Sequence, residues 1–131
     1  QRFKALKELN KSGFETYAFI GPLLPHLVAR PAELDCLFAK LKQTGTRNIF
    51  IEHLNLSTYI KTRLTEEMKG QEDSLLKEFY SSQSKEYRAK LEEIIKSLVK
   101  KYDMHLLMDM VIFHKEFQKK ASRGNMAKIT I

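Results

Sequence analysis

Two periods of hydrophobic position alternate along this chain. Phe3, Leu6 and Leu9 recur three apart and Gly13 follows them, which predicts a helix over about residues 1 to 12, closed by a glycine at the left-handed C′ position. In "ETYAFIG" the period is lost and aromatic and branched residues crowd together, apolar on both faces; a strand in a sheet covered on both sides reads this way. Pro22 and Pro25 have no N–H for a ladder, so the strand is expected to end near Gly21. The helical period returns in "RPAELDCLFAKLKQTG". Pro31 stands at the first helical position, Glu33 in the first turn, Leu34, Leu37, Phe38 and Leu41 along one stripe, and Gly45 at the end.

A second strand is predicted in "NIFIEHLN". The stretch between the strands, about 25 residues with a helix in it, has the length of a parallel crossover, which is nearly always right-handed. Ser57 or Thr58 can cap a third helix reaching about residue 68, with Ile60, Leu64 and Met68 as its buried stripe. Gly70 and "GQEDS" break the pattern, and "LLKEFY" is a short helical piece. A long helix over about residues 83 to 101 carries Tyr87, Leu91, Ile94, Ile95, Leu98 and Tyr102 on one side. "HLLMDMVIF" then has the length and composition of a third strand, and "ASRGNMAK" reads as a basic tail. The chain is therefore α/β, one domain over residues 1–131, with βα units in 1–69 and a long helix, last strand and tail in 70–131.

At 131 residues there is room for one moderate core. No apolar run reaches the roughly 18 residues of a membrane span, so a soluble, cytoplasmic chain with no membrane partner is expected. The first residue, Gln1, already lies in a helical pattern, so the chain is expected to continue something that precedes it. A net charge of +7 would suit a phosphate-bearing partner, yet in "KEYRAKLEEIIKSLVKK" the cations are interleaved with glutamates, as on a solvated helix face. The single Cys36 excludes an intrachain disulfide and any cluster held by this chain's thiolates alone. The five glycines are isolated, so no phosphate loop is present. His26, His53, His105 and His114 could meet only through folding, and no metal site is expected from them.

What is left is geometry. Ligands of parallel sheets sit beyond the carboxyl ends of the strands, which here means "GPLLPHL", "EHLNLS" and "FHK". Along the second strand Ile49, Ile51 and His53 share one face and Phe50, Glu52 and Leu54 the other. If the isoleucines meet the helices, Glu52 points away from them. A carboxylate there needs either a salt bridge to a neighbouring lysine or a ligand. Asn55 can bind a ligand or cap the following helix.

The segments "KALKELNKSGFETYAFIGPLLPHL" and "FAKLKQTGTRNIFIEHLNLSTYIKTRL" resemble the later part of radical S-adenosylmethionine proteins, in the branch labelled DNA repair photolyase and related to spore photoproduct lyase. In that branch a helix ending in glycine leads to a strand closing in Pro-x-x-Pro, and a second strand ends in an acidic, asparagine-bearing segment. Residues 2 to 64 carry the resemblance; the rest matches only in kind. The resemblance implies the C-terminal portion of a partial (β/α) barrel, with Gly21, Pro22, Pro25, Glu52 and Asn55 on the rim around S-adenosylmethionine or substrate. It also implies, for a full-length parent, a [4Fe–4S] cluster and reductive formation of a 5′-deoxyadenosyl radical. The Cys-x3-Cys-x2-Cys loop for that cluster is missing, so this chain alone is expected to hold no cofactor and to be inactive. Its expected partner is the N-terminal half of the barrel, and acting on nucleic acid is in keeping with the branch. Without that half, a homodimer through the bared strands, or "HLLMDMVIF" folded back onto them, is expected. The second reading, independent of the resemblance, is a non-catalytic α/β module whose basic helices bind nucleic acid or protein.

Overall fold

The computed structural model describes residues 1–114. Helix α1 (Arg2–Lys11) ends where Gly13 takes φ +82°, and Phe14 N–H reaches back to the Leu9 carbonyl. That reversal delivers the chain into β1 (Tyr17–Leu23). Helix α2 (Pro31–Gln43) starts on its proline as the sequence predicts and buries Leu34, Phe38 and Leu41. Gly45, again at φ +82°, turns it into β2 (Asn48–His53). Then follow α3 (Thr58–Glu67), α4 (Asp73–Ser81), the long α5 (Lys85–Lys101) and a short β3 (His105–Leu106). Ser57 and Ser84 cap α3 and α5, their hydroxyls accepting from Ile60 N–H and Tyr87 N–H.

The strands form one parallel sheet in the order β1-β2-β3. Strand order thus follows chain order, and α2 and α5 lie together against the same face. Ala18, Ile20, Ile49, Ile51 and Leu106 of the sheet meet Leu34, Phe38, Leu41, Leu91, Ile95 and Leu98 of those helices in one core. Each fully buried side chain such as Phe38, Ile49, Ile51 or Ile95 contributes about 1.5–3 kcal/mol relative to exposure. Asp35 of α2 ties the layer to the end of α5, accepting from Lys101 Nζ at 2.6 Å and Tyr102 Oη at 3.0 Å. A second, smaller cluster of Leu54, Leu56 and Phe79 joins the loop after β2 to α4, with Leu64 and Met68 of α3 against it.

Five expectations are corrected. The first strand is not covered on both sides: Tyr17 is 60% and Phe19 57% exposed, and every described helix packed on the sheet lies on the other face. Nor does that strand stop at Gly21. The Gly21-Pro22 peptide is cis and sits at an irregularity in the ladder, after which Leu23 pairs again with His53. Pro22 is accommodated there because no ladder pairing falls on it. The third strand is split rather than continuous over 105–113. Met108 and Asp109 take φ +68° and +54°, breaking the extended run into a short 3-10 turn before Ile112 rejoins β2 beside Glu52. Ile60 is 44% exposed and does not belong to the buried stripe of α3, and Leu54 turns past the end of β2 into the smaller cluster. The basic tail at 121–128 lies outside the described residues.

At the amino ends of β1 and β2 the polar groups close on one another. Asn10 of α1 donates to the Thr44 carbonyl at 2.9 Å and to Thr46 Oγ1 at 3.1 Å, while its Oδ1 accepts from Thr16 Oγ1 at 2.7 Å. Thr44 Oγ1 lies 2.9 Å from Thr46 Oγ1 and donates to the Leu41 carbonyl. Thr46 is fully buried, yet its hydroxyl has partners on every side.

Candidate functional site

Alternation along β2 does what the sequence predicts. Ile49, Ile51 and His53 are buried towards the helices, and Phe50 and Glu52 stand on the uncovered face. On that face Tyr17 and Phe50 meet edge-on with ring centres 5.4 Å apart. At the amino end of the same face Asn48 links Glu15 and His105, at 3.1 and 3.3 Å.

The carboxyl ends of the strands hold the candidate site. Glu52 lies between Gly21 and His114. On one side, a Cβ placed on Gly21 would stand 2.8 Å from Glu52 Cβ and 3.1 Å from the Phe19 ring, so only glycine lets β1 lie this close to the carboxylate. On the other side, His114 Nε2 approaches Glu52 Oε1 to 2.5 Å. The carboxylate side chain is about one-fifth exposed and the imidazole a little over half, so the pair is open to a ligand from the uncovered face. Glu52's partner is thus a histidine from the far end of the chain rather than the neighbouring lysine that the sequence left open. The carboxylate fixes which nitrogen carries the proton: with Nε2–H donated to Glu52, Nδ1 of a neutral imidazole is left as an acceptor.

The other predicted rim residues divide. Pro22 follows Gly21 at the exposed end of β1, whereas Pro25 is buried in the turn beyond it and presents nothing to a ligand. Asn55 does not cap α3, since Ser57 does. Its Oδ1 is buried and has no hydrogen-bond partner among the described residues; the same holds for Nδ1 of His26, whose ring lies tilted against Phe79 with centres 4.9 Å apart. Two such groups at the carboxyl end of the sheet are polar atoms that the described residues leave unsatisfied.

His114 was missed as a site residue, although "FHK" was placed at the ligand end. Val111 and Phe113 are buried, while Ile112 pairs beside Glu52 and His114 meets it, a register that spacing along the chain does not reveal. Also unforeseen was Gln83, whose side-chain amide donates to the Leu54 carbonyl at 2.7 Å and accepts from Leu56 N–H at 3.0 Å. It behaves as a short piece of strand laid against the loop that carries Asn55.

Among the described residues no group of three or more His, Cys, Asp or Glu side chains is placed to hold a metal ion, and no helix is long and apolar enough to cross a membrane. Comparison with protein-family models, with curated proteins and with solved structures finds no match to the chain.

Proposed function

We propose that the chain is the C-terminal part of a radical S-adenosylmethionine enzyme, and that Gly21, Pro22, Glu52 and Asn55 belong to the rim of its substrate or cofactor site. The observation that supports this most is the winding: parallel strands in chain order with the described helices on one face. Repeated, that arrangement curls into a (β/α) barrel whose interior is the face left uncovered here and whose chemistry sits at the carboxyl ends of the strands. Glu52, Gly21 and His114 stand at those ends and on that face.

The donor set suits part of the chemistry. A carboxylate and the unpartnered Oδ1 of Asn55 are acceptors, matched to the ribose hydroxyls and the ammonium group of S-adenosylmethionine. Bound and reductively cleaved, that cofactor supplies a 5′-deoxyadenosyl radical able to take a hydrogen atom from substrate. The residues present do not fit the iron–sulfur cluster, because Cys36 is one exposed thiol on α2, so the cluster belongs to a different segment.

The test begins with the coding sequence upstream of Gln1. A Cys-x3-Cys-x2-Cys motif in frame, and anaerobic formation of 5′-deoxyadenosine by the encoded protein that Glu52→Gln lowers at least tenfold, is the expected result. No such motif in frame would sink the reading.

A second reading, a non-catalytic module for single-stranded nucleic acid, is favoured by one observation. Tyr17 and Phe19 stand exposed side by side on an open sheet in a protein of charge +7, an arrangement on which bases can stack. Fluorescence anisotropy with a labelled oligonucleotide decides it. Binding that Phe19→Ala and Tyr17→Ala weaken supports this reading, and equal binding by both variants excludes it.

A further inference from the structure

Both walls of the candidate site are held from beneath by one junction, the turn between α4 and α5. Gln83 lies in that turn and Arg88 in the first turn of α5, and neither lies on the uncovered face. The first wall is the loop after β2. Gln83 grips it by the Leu54 carbonyl and the Leu56 N–H, on either side of Asn55, so the orientation of the intervening residue follows from the grip. The second wall is the stretch that ends in His114. Arg88, only 7% exposed, places its guanidinium carbon 3.9 Å from the centre of the Phe113 ring. Phe113 is itself buried, and the residue after it, His114, meets Glu52 on the uncovered face. Fixing Phe113 below the sheet therefore fixes where His114 emerges above it. Backbone bonds on either side of Ile112, to Ile51 and His53 at 2.8 Å, keep that lever stiff.

The two grips are joined. Arg88 donates through a guanidinium N–H to the Gln83 backbone carbonyl at 2.5 Å, so the residue that fixes Phe113 also fixes the residue that holds the Asn55 loop. A buried guanidinium is planar and takes its acceptors and ring partner in set directions, which lysine cannot reproduce. We propose that Gln83 and Arg88 are positioning residues that set Asn55 and the Glu52–His114 pair relative to each other. The meaning of those two walls as a ligand site rests on the function proposed above; the coupling itself does not.

The experiment uses the chain as it stands, with isotope-labelled histidine and asparagine observed by NMR at one fixed pH. Arg88→Lys keeps the charge and Gln83→Glu keeps the acceptor for Leu56 N–H while losing the donor to Leu54. Expected for each is a shift of both the His114 ring nitrogen signals and the Asn55 side-chain amide, with the Nε2–H of His114 exchanging faster than in the parent chain. A purely structural role would lower the melting temperature while leaving the signals of the folded molecules in place. A folded Arg88→Lys that leaves both His114 and Asn55 unshifted overturns the proposal. If Arg88→Lys does not fold, Gln83→Glu decides: movement of Asn55 alone, with His114 unmoved, equally overturns the coupling. Loss of 5′-deoxyadenosine formation plays no part in this readout, so failure here and failure of the enzymatic reading are separable.

Discussion

The two ends of the same parallel strands treat polar groups in opposite ways. At the amino end Asn10, Thr16, Thr44 and Thr46 use one another up: both N–H groups and the oxygen of the Asn10 amide have partners within the cluster. At the carboxyl end Asn55 Oδ1 and His26 Nδ1 are buried without partners among the described residues, and the Glu52–His114 pair stays open to solvent. Among the described residues, one end has its polar groups satisfied and the other leaves hydrogen-bonding capacity unused. This matches the division of labour in (β/α) architectures, where the amino face serves stability and the carboxyl face serves chemistry.

That contrast can be broken from either side. The largest effect is expected from Asn10→Ala, which deletes three hydrogen bonds, strands the buried Thr44 carbonyl and leaves the Thr46 hydroxyl with only its threonine partners; a loss of about 2–3 kcal/mol in urea unfolding is expected. Gly21→Ala comes next, at about 1–2 kcal/mol, since the new methyl group can be seated only by moving β1 off Glu52. Its signature is a shift of the Glu52 and Phe19 NMR signals alongside the lowered unfolding midpoint. Glu52→Gln should change stability by less than about 1 kcal/mol, because the pair it breaks is partly solvated. If it instead costs as much as Asn10→Ala, the carboxyl end is as structural as the amino end and the comparison fails.

The smallest effect concerns the tie between α2 and α5. The hydrogen bond from Lys101 holds the Asp35 carboxyl below its ordinary value, and the same bond raises Lys101. A lowered acid stabilises the fold above its unfolded-state value, near pH 4, and the contribution fades as pH falls through the lowered value. A raised base contributes fully below about pH 10.4 and loses its contribution as pH climbs through the raised value. The stability gap between the wild type and Asp35→Asn should therefore be level across neutral pH and shrink progressively as pH falls below about 4. A gap that widens in acid would contradict the sign.

Much of the architecture was readable because local rules and burial agreed. Pro31 and the stripe of Leu34, Phe38 and Leu41 fixed α2, and the crossover length fixed the parallel pairing of β1 and β2. The uncovered face was not readable, since an aromatic-rich strand looks the same whether its second face meets helices or nothing. The split in β3 was hidden because Met108 and Asp109 adopt left-handed backbone without a glycine to announce it. Within the site, Glu52 followed from strand parity alone. His114 required knowing that residue 112 lies beside residue 52, and Gln83 required knowing that a helix junction lies under the loop it grips. Long-range register of that kind leaves no trace in spacing.

The split third strand also bears on the order in which the molecule comes together. Partners across β1 and β2 are joined by one helix, whereas partners across β2 and β3 stand nearly twice as far apart in sequence, with three helices and their turns between them. Closing the longer loop costs more chain entropy and yields a shorter ladder, so the β1–α2–β2 unit is expected to form first and the 105–114 stretch to dock last. Glu52 then waits on a formed sheet for a histidine that arrives at the end. Hydrogen exchange during refolding should show the β2 amides facing β1 protected ahead of the His53 N–H, whose acceptor is the Ile112 carbonyl.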